Sequence, residues 1–256
     1  MLRTRVIPAL LVRDQSLVKT VRFGKFTYVG DPCNTVRIFN ELEVDELMVL
    51  DILASRHGQP PDFALLADLA NECFMPVSYG GGIRTVRDGE RILKIGLEKL
   101  VVNSAAVANP GLVHELAREF GSQAVVASID FRRNLLGNPK VYLHAAQQLS
   151  ARDPLDWALE LEQQGAGELL LTSVDREGTW SGFDWEEVRR IADRVRIPVI
   201  AHGGGRDLAS VGQVVREGHA SAVALGSMVV FQKQGMGVLV NFPGQQELAR
   251  ALEANA

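Results

Sequence analysis

Two glycine runs, Gly80-Gly81-Gly82 and Gly203-Gly204-Gly205, lie 123 residues apart, and the same interval separates Asn103-Ser104 from Gly226-Ser227. Glu46-Leu47 returns as Glu168-Leu169 after 122 residues. A repeat that long in a chain of 256 residues means that the second half is built like the first. Short runs rich in Val, Ile and Leu punctuate both halves. The first half holds RVIPALLV, ELMVLDI, PVSYG and KLVVN, starting at Arg5, Glu46, Pro76 and Lys99. The second holds AVVASID, ELLLTSV, PVIAHG and SAVALG, starting at Ala124, Glu168, Pro198 and Ser221. Helical stretches separate them. Continuous apolar runs of this kind are strands of a parallel sheet covered on both faces. Eight such βα units close most simply into one α/β domain over residues 1–256, a (βα)8 TIM barrel of two similar half-barrels. A doubly wound open sheet is the alternative. One stretch breaks the repeat: residues 131–153 carry Asn-Leu-Leu-Gly-Asn-Pro and then alternating residues, which reads as an inserted hairpin over the barrel mouth.

Composition narrows the partners. A net charge of −4 argues against a nucleic-acid surface, which would show a basic excess, but leaves small anionic ligands open. Cys33 and Cys73 have neither metal-ligand spacing nor a disulfide framework, which fits a reducing cytoplasm. The opening MLRTRVIPALLVRD has an apolar run too short to span a membrane and no small-residue cleavage site, so a cytoplasmic protein is expected. None of the five histidines has a partner at metal-ligand spacing, and no metal or cofactor is expected. Only His202, at a strand end, is placed to neighbour a ligand.

A glycine run directly after a strand frees backbone N–H groups to face an anion and, lacking Cβ, lets it approach. Gly81 and Gly82, with Asn103 and Ser104 one βα unit later, predict one phosphate site. Gly204 and Gly205, with Gly226 and Ser227, predict its counterpart. The C-terminal ends of barrel strands are the expected catalytic positions. Asp51, Asp130 and Asp175 lie there, Asp175 within a segment that continues through Gly178 and Thr179 to the ligand side. Asp51 and Asp175 serve equally well as loop caps. Asp130 is the stronger catalytic candidate. Its counterpart in the first half is Leu11, and leucine cannot transfer a proton. At the other ends of the strands, Arg5, Glu46, Lys99 and Glu168 set two cations against two anions. Converging on the axis, they form a charged ring closing the bottom of the core, either as a solubilising lid or with a function of its own. Arg22, Phe23, Lys25, Phe26 and Tyr28 fall in what reads as a long loop after the first strand.

Asp45-Glu46-Leu47, Leu50-Asp51-Ile52, Gly80-Gly81-Gly82-Ile83, Asn103-Ser104-Ala105-Ala106-Val107, Phe120-Gly121-Ser122-Gln123-Ala124-Val125, Ile129-Asp130 and Gly165-Ala166-Gly167-Glu168 together resemble the cyclase subunit of imidazole glycerol phosphate synthase. The resemblance covers nearly the whole chain. It implies a barrel that binds a bisphosphorylated substrate at the top, with a glutaminase docked at the bottom and ammonia passing through the core. It also implies that Arg5, Glu46, Lys99 and Glu168 are the ammonia gate and that Lys19 contacts phosphate. The cyclases use two aspartates, and the first, in a Cys-Leu-Asp-Val segment, is replaced here by Ala9-Leu10-Leu11-Val12. With the unusual ending from Gly235 to Pro243, and with Tyr79 and the Arg22 to Tyr28 segment, that loss resembles a paralogous group. Its members act with a glutaminase and an ATP-dependent amidotransferase, turning an acetamido into an acetamidino group on bacterial surface sugars such as O-antigen. The ligand implied is a phosphorylated or nucleotide-linked small molecule. A cyclase-lyase relying on Asp130, and a non-catalytic phosphate-binding scaffold, are the alternatives.

Overall fold

The computed structural model describes residues 4–253, so residues 1–3 of the opening segment lie outside the described residues. Eight strands run parallel in the order β1 (Arg5–Arg13), β4 (Leu47–Asp51), β5 (Val77–Gly80), β6 (Lys99–Val102), β7 (Val125–Arg133), β10 (Glu168–Ser173), β11 (Val199–His202) and β12 (Ala222–Leu225). Pairing of β12 with β1, Ile7 opposite Ala224, closes the sheet into a (βα)8 barrel. Helices α1 (Pro32–Glu41), α2 (Phe63–Glu72), α3 (Val86–Ile95), α5 (Gly111–Phe120), α6 (Pro154–Gln163), α7 (Trp185–Ala192) and α8 (Leu208–Arg216) follow the strands around the outside, and α10 (Gln245–Glu253) packs on α8. Their starts are written in the sequence: Asp31, Asp62, Asp153 and Asp207 accept backbone N–H groups as N-caps, and Thr85 with Asp88 forms a capping box. No helix among the described residues is long and apolar enough to cross a membrane.

Alternation along each strand divides the side chains between two cores. One set packs between sheet and helices and includes Leu47, Val49, Leu100, Leu169 and Leu171. The other fills the barrel axis: Ile7, Ala9, Met48, Val101, Val126, Leu170, Ile200, Ala222 and Ala224. Continuing each inward row brings Arg5, Glu46, Lys99 and Glu168 to the bottom, and Leu11, Leu50, Gly80, Asn103, Asp130, Thr172 and His202 to the top.

The two halves correspond beyond their glycine loops. β1 and β7 are both nine residues long, and each continues past the barrel rim into an antiparallel hairpin. The hairpin expected within residues 131–153 is present as β7 paired with β8 (Pro139–Leu143), with β9 (Gln148–Leu149) on β8. The segment after β1, read from sequence as a long loop through Tyr28, is instead a second hairpin. Its strands are β2 (Ser16–Thr20) and β3 (Phe26–Gly30). Gly24 and the positive φ of Arg22 and Phe23 make its turn, and these irregular residues hid the flanking strands from a reading by composition. The hairpins meet over the mouth, where the Phe23 ring lies 5.2 Å from His144, edge-on, and 6.1 Å from Tyr142.

Pairing register shows where the halves diverge. Leu11 is opposite Leu50, and at the matching place in the second half Asp130 is opposite Thr172. An apolar pair in one half therefore stands where the other has a polar pair.

Gly81 adopts φ +134°, and a Cβ there would come 2.6 Å from the Asp51 Cβ and 2.8 Å from the Asp51 carbonyl oxygen. Gly81→Ala is therefore expected to destabilise the protein by more than about 1 kcal/mol, read as a lower urea midpoint. An unchanged midpoint would mean that this loop relaxes freely.

Candidate functional site

At the N-terminal end of the barrel the four charged side chains do converge. Arg5 Nη1 lies 2.5 Å from Glu46 Oε2 and its Nη2 3.0 Å from Glu168 Oε2, while Lys99 Nζ lies 3.1 Å from Glu46 Oε1 and 3.0 Å from Glu168 Oε1. Each cation touches both anions and each anion both cations, so the ring is closed. Burial would weaken the charge on Arg5, but the two glutamates outweigh it and raise its pKa.

At the opposite end a cavity of about 1050 Å³ opens beneath the hairpins. The glycine loop after β5, Asp51, Asn103, Ser104 and Asp130 line it. Asp51 caps the following turn, its Oδ1 accepting from Leu53 and Ala54 N–H at 2.9 Å each, so the loop-cap role holds for that residue. Arg56 adds a cation to the same wall, and Leu11 and Leu50 make it apolar on the side of the first half. Asn103 has φ −129° and ψ −86° before the short helix α4 (Ser104–Ala108), and Gly226 has φ −101° and ψ −91° before α9 (Ser227–Val230). The backbone thus repeats where the sequence does.

The second glycine loop lines a much smaller space of about 220 Å³ with Glu177, Gly178, Gly226 and Ser227. Lys19 reaches it from β2, where a Cβ on Gly226 would run into its Nζ. The Lys19 side chain is buried in an ion pair with Glu177. Asp175 and Thr179 sit apart from both spaces. Asp175 holds the second hairpin, with Oδ1 3.1 Å from Arg132 Nε and Oδ2 accepting from Arg133 N–H at 2.9 Å. Thr179 donates to the Arg176 carbonyl at 2.6 Å.

Asp130 is buried. Asn103 Nδ2 donates to its Oδ2 at 2.8 Å, and Thr172, opposite it in the pairing register, stands beside the same carboxyl. Desolvation raises its pKa to about 6, against the opposing pull of His144, Asn103 and Thr172. A carboxyl poised there can serve as acid or base near neutral pH. His144 comes from the second hairpin and donates through Nε2 to the Ile52 carbonyl at 3.0 Å. Its Nδ1 is buried without a hydrogen-bond partner among the described residues. His202 occupies the inward position at the end of β11, on the cavity wall. Sequence reasoning passed over Thr172, Glu177 and His144. Strand alternation alone could have placed Thr172 on the axis, whereas nothing in the sequence places an inserted hairpin's histidine over a given cavity.

A model of the family described as "Histidine biosynthesis protein" matches residues 5–234. This chain belongs to that family. It is 47% identical over 248 residues to a Pseudomonas aeruginosa protein provisionally named imidazole glycerol phosphate synthase subunit hisF2, covering 97% of this chain and 99% of the relative. A Leptospira borgpetersenii protein with the same provisional subunit name, HisF, is 42% identical over 244 residues, 95% of this chain and 96% of the relative. A Vibrio vulnificus protein provisionally named subunit hisF3 is 40% identical over 254 residues, 99% and 98% of the two chains. The relatives' names agree with the imidazole glycerol phosphate synthase resemblance carried by the sequence motifs.

Because the folded pKa of Asp130 lies above that of an unfolded aspartate, its protonated form favours the fold at low pH. That contribution is lost as pH rises through about 6. Asp130→Asn removes the buried charge. It should therefore stabilise the fold more at pH 8 than at pH 4, the unfolding free energies differing by on the order of 1 to 2 kcal/mol, read as a larger rise in melting temperature at pH 8. Equal shifts at both pH values would mean that the carboxyl is already paired well enough to ionise freely.

Proposed function

We propose that this chain is the synthase-like barrel subunit of a glutamine-dependent amidotransferase system. A class I glutaminase docks on the N-terminal face, and its ammonia enters the barrel through Arg5, Glu46, Lys99 and Glu168. The glycine loops at the other face, with Lys19, Asn103, Ser104 and Ser227, hold a phosphorylated or nucleotide-linked small molecule. An ATP-dependent amidotransferase completes acetamidino formation on a bacterial cell-surface sugar of the O-antigen kind.

The observation that carries this reading is the closed four-charge ring on the barrel axis, at the end opposite the ligand-sized cavity. A lid for solubility needs charged side chains turned to water, whereas here Glu46 is buried and Lys99 and Glu168 are largely so. Above the ring the axis is lined by apolar side chains, several of them alanine, a path suited to neutral ammonia and hostile to ammonium. The apolar Leu11 and Leu50 pair supports a barrel that kept these parts after losing one cyclase acid.

The test reconstitutes barrel, glutaminase and amidotransferase and follows sugar amidination driven by glutamine or by added ammonia. Omitting the barrel should abolish the glutamine-driven reaction. Lys99→Ala should lower product per glutamine hydrolysed several-fold and leave the ammonia-driven reaction intact. Full glutamine-driven turnover without the barrel would overturn the proposal.

A second reading, a cyclase-lyase resting on Asp130, is favoured by that residue's raised pKa. Missing one member of an acid/base pair costs about 10² to 10⁴ in rate. On this reading Leu11→Asp should raise cyclase turnover by a factor of that order. No gain from Leu11→Asp would leave the amidotransferase role alone.

A further inference from the structure

Asp130, Thr172, His202 and Glu177 come from β7, β10, the end of β11 and the loop after β10, and all four are buried. They lie in a connected row. Thr172 stands opposite Asp130 in the pairing register of β10 and β7, its hydroxyl beside the carboxyl, and its Oγ1 is 3.2 Å from His202 Nδ1. His202 Nε2 has no hydrogen-bond partner among the described residues and lies 3.8 Å from Glu177 Oε2. Glu177 in turn is paired with Lys19, which keeps it ionised against the cost of its burial.

The proton count in this row is constrained. A threonine hydroxyl carries one proton. If it donates to Asp130, Thr172 can only accept from His202, whose Nδ1 must then be protonated. If Asp130 is itself protonated and donates to Thr172, the hydroxyl proton points to His202 Nδ1, which must then be bare, and the ring proton sits on Nε2 facing Glu177. The state of Asp130 thus dictates which nitrogen of His202 holds a proton.

We propose that Asp130, Thr172, His202 and Glu177 form a buried proton relay through which Asp130 both takes up and releases a proton within the cavity. At the equivalent places in the first half, Leu11 and Leu50 offer no second group for this work. In the forward step protonated Asp130 gives its proton to the Thr172 oxygen while the hydroxyl's own proton passes to His202 Nδ1. The imidazolium so formed is held against the Glu177 carboxylate; the reverse step restores the acid, and loss of the Nε2 proton to solvent leaves the neutral ring protonated at Nδ1. No bond other than O–H and N–H changes, and no outside reactant is consumed. His202 is a positioning and relay residue here, because it acts on Asp130 through Thr172.

The charged surroundings fit the role. Burial lowers the His202 pKa and Lys19 adds to that, while Glu177 opposes both, so the resting ring is neutral and able to accept. On the other side of Asp130, Asn103 donates to the carboxyl and His144 faces it across the cavity. The relay stands apart from the ammonia-delivery reading, because its test uses the free barrel with no partner or ligand.

The deciding measurement is nuclear magnetic resonance of barrel labelled in histidine and aspartate, following the His202 ring nitrogens and the Asp130 carboxyl carbon through a pH series. The expected result is a tautomer exchange in the neutral His202 ring at the Asp130 midpoint, with Nδ1 gaining its proton as pH rises. Thr172→Ser should keep the exchange. Thr172→Val, of nearly the same volume, should abolish it while the ring still senses the Asp130 charge through space. Two results would each overturn the relay: a single His202 tautomer on both sides of the Asp130 midpoint, or an exchange that persists in Thr172→Val.

Discussion

Closure of the parallel sheet between β12 and β1 is the constraint on which the rest of this protein depends. Once eight strands form a barrel, alternate side chains have nowhere to go but the axis, and residues far apart in sequence become neighbours there. Arg5 and Glu168 meet for this reason, as do Lys99 and Glu46. Any polar group on the axis must then find its partner on another strand. At the bottom two cations and two carboxylates satisfy one another, and at the top Asp130 relies on Asn103 and Thr172.

The axis is consequently apolar in the middle and polar at both ends. The bottom is balanced, closed charge. The top is an open space under two hairpins whose contact runs through Phe23, Tyr142 and His144. This polarity separates a place where something small could enter from a place where something larger could be held. Both glycine loops lie at the C-terminal ends of the strands, yet they open into different spaces. The first opens into the main cavity, whereas the second faces a narrow space crowded by Lys19 and Glu177.

Much of this was legible in the chain. The strands were visible as apolar runs, and the repeat gave the half-barrels because Gly81 and Gly204 mark turns that need a positive φ. The charged ring was legible because Arg5, Glu46, Lys99 and Glu168 each sit at the start of an apolar run, where alternation sends them inward together. The first hairpin was not legible, since its turn residues carry the aromatic and basic side chains of an ordinary loop. Lys19 illustrates the same limit: the family resemblance marked it as a phosphate contact, but nothing in the chain marked the buried carboxylate that holds it.

The sequence by itself determined the barrel, its doubling, and the position of the one unmatched aspartate, because periodicity and repeat intervals are properties of the chain alone. Only the tertiary structure decided what that aspartate touches. Asp130, Thr172, His202 and Glu177 are separated by up to 72 positions in the chain, and their contact follows from strand register and loop path. Desolvation, which sets the chemistry of such a group, exists only once the surrounding protein has replaced water.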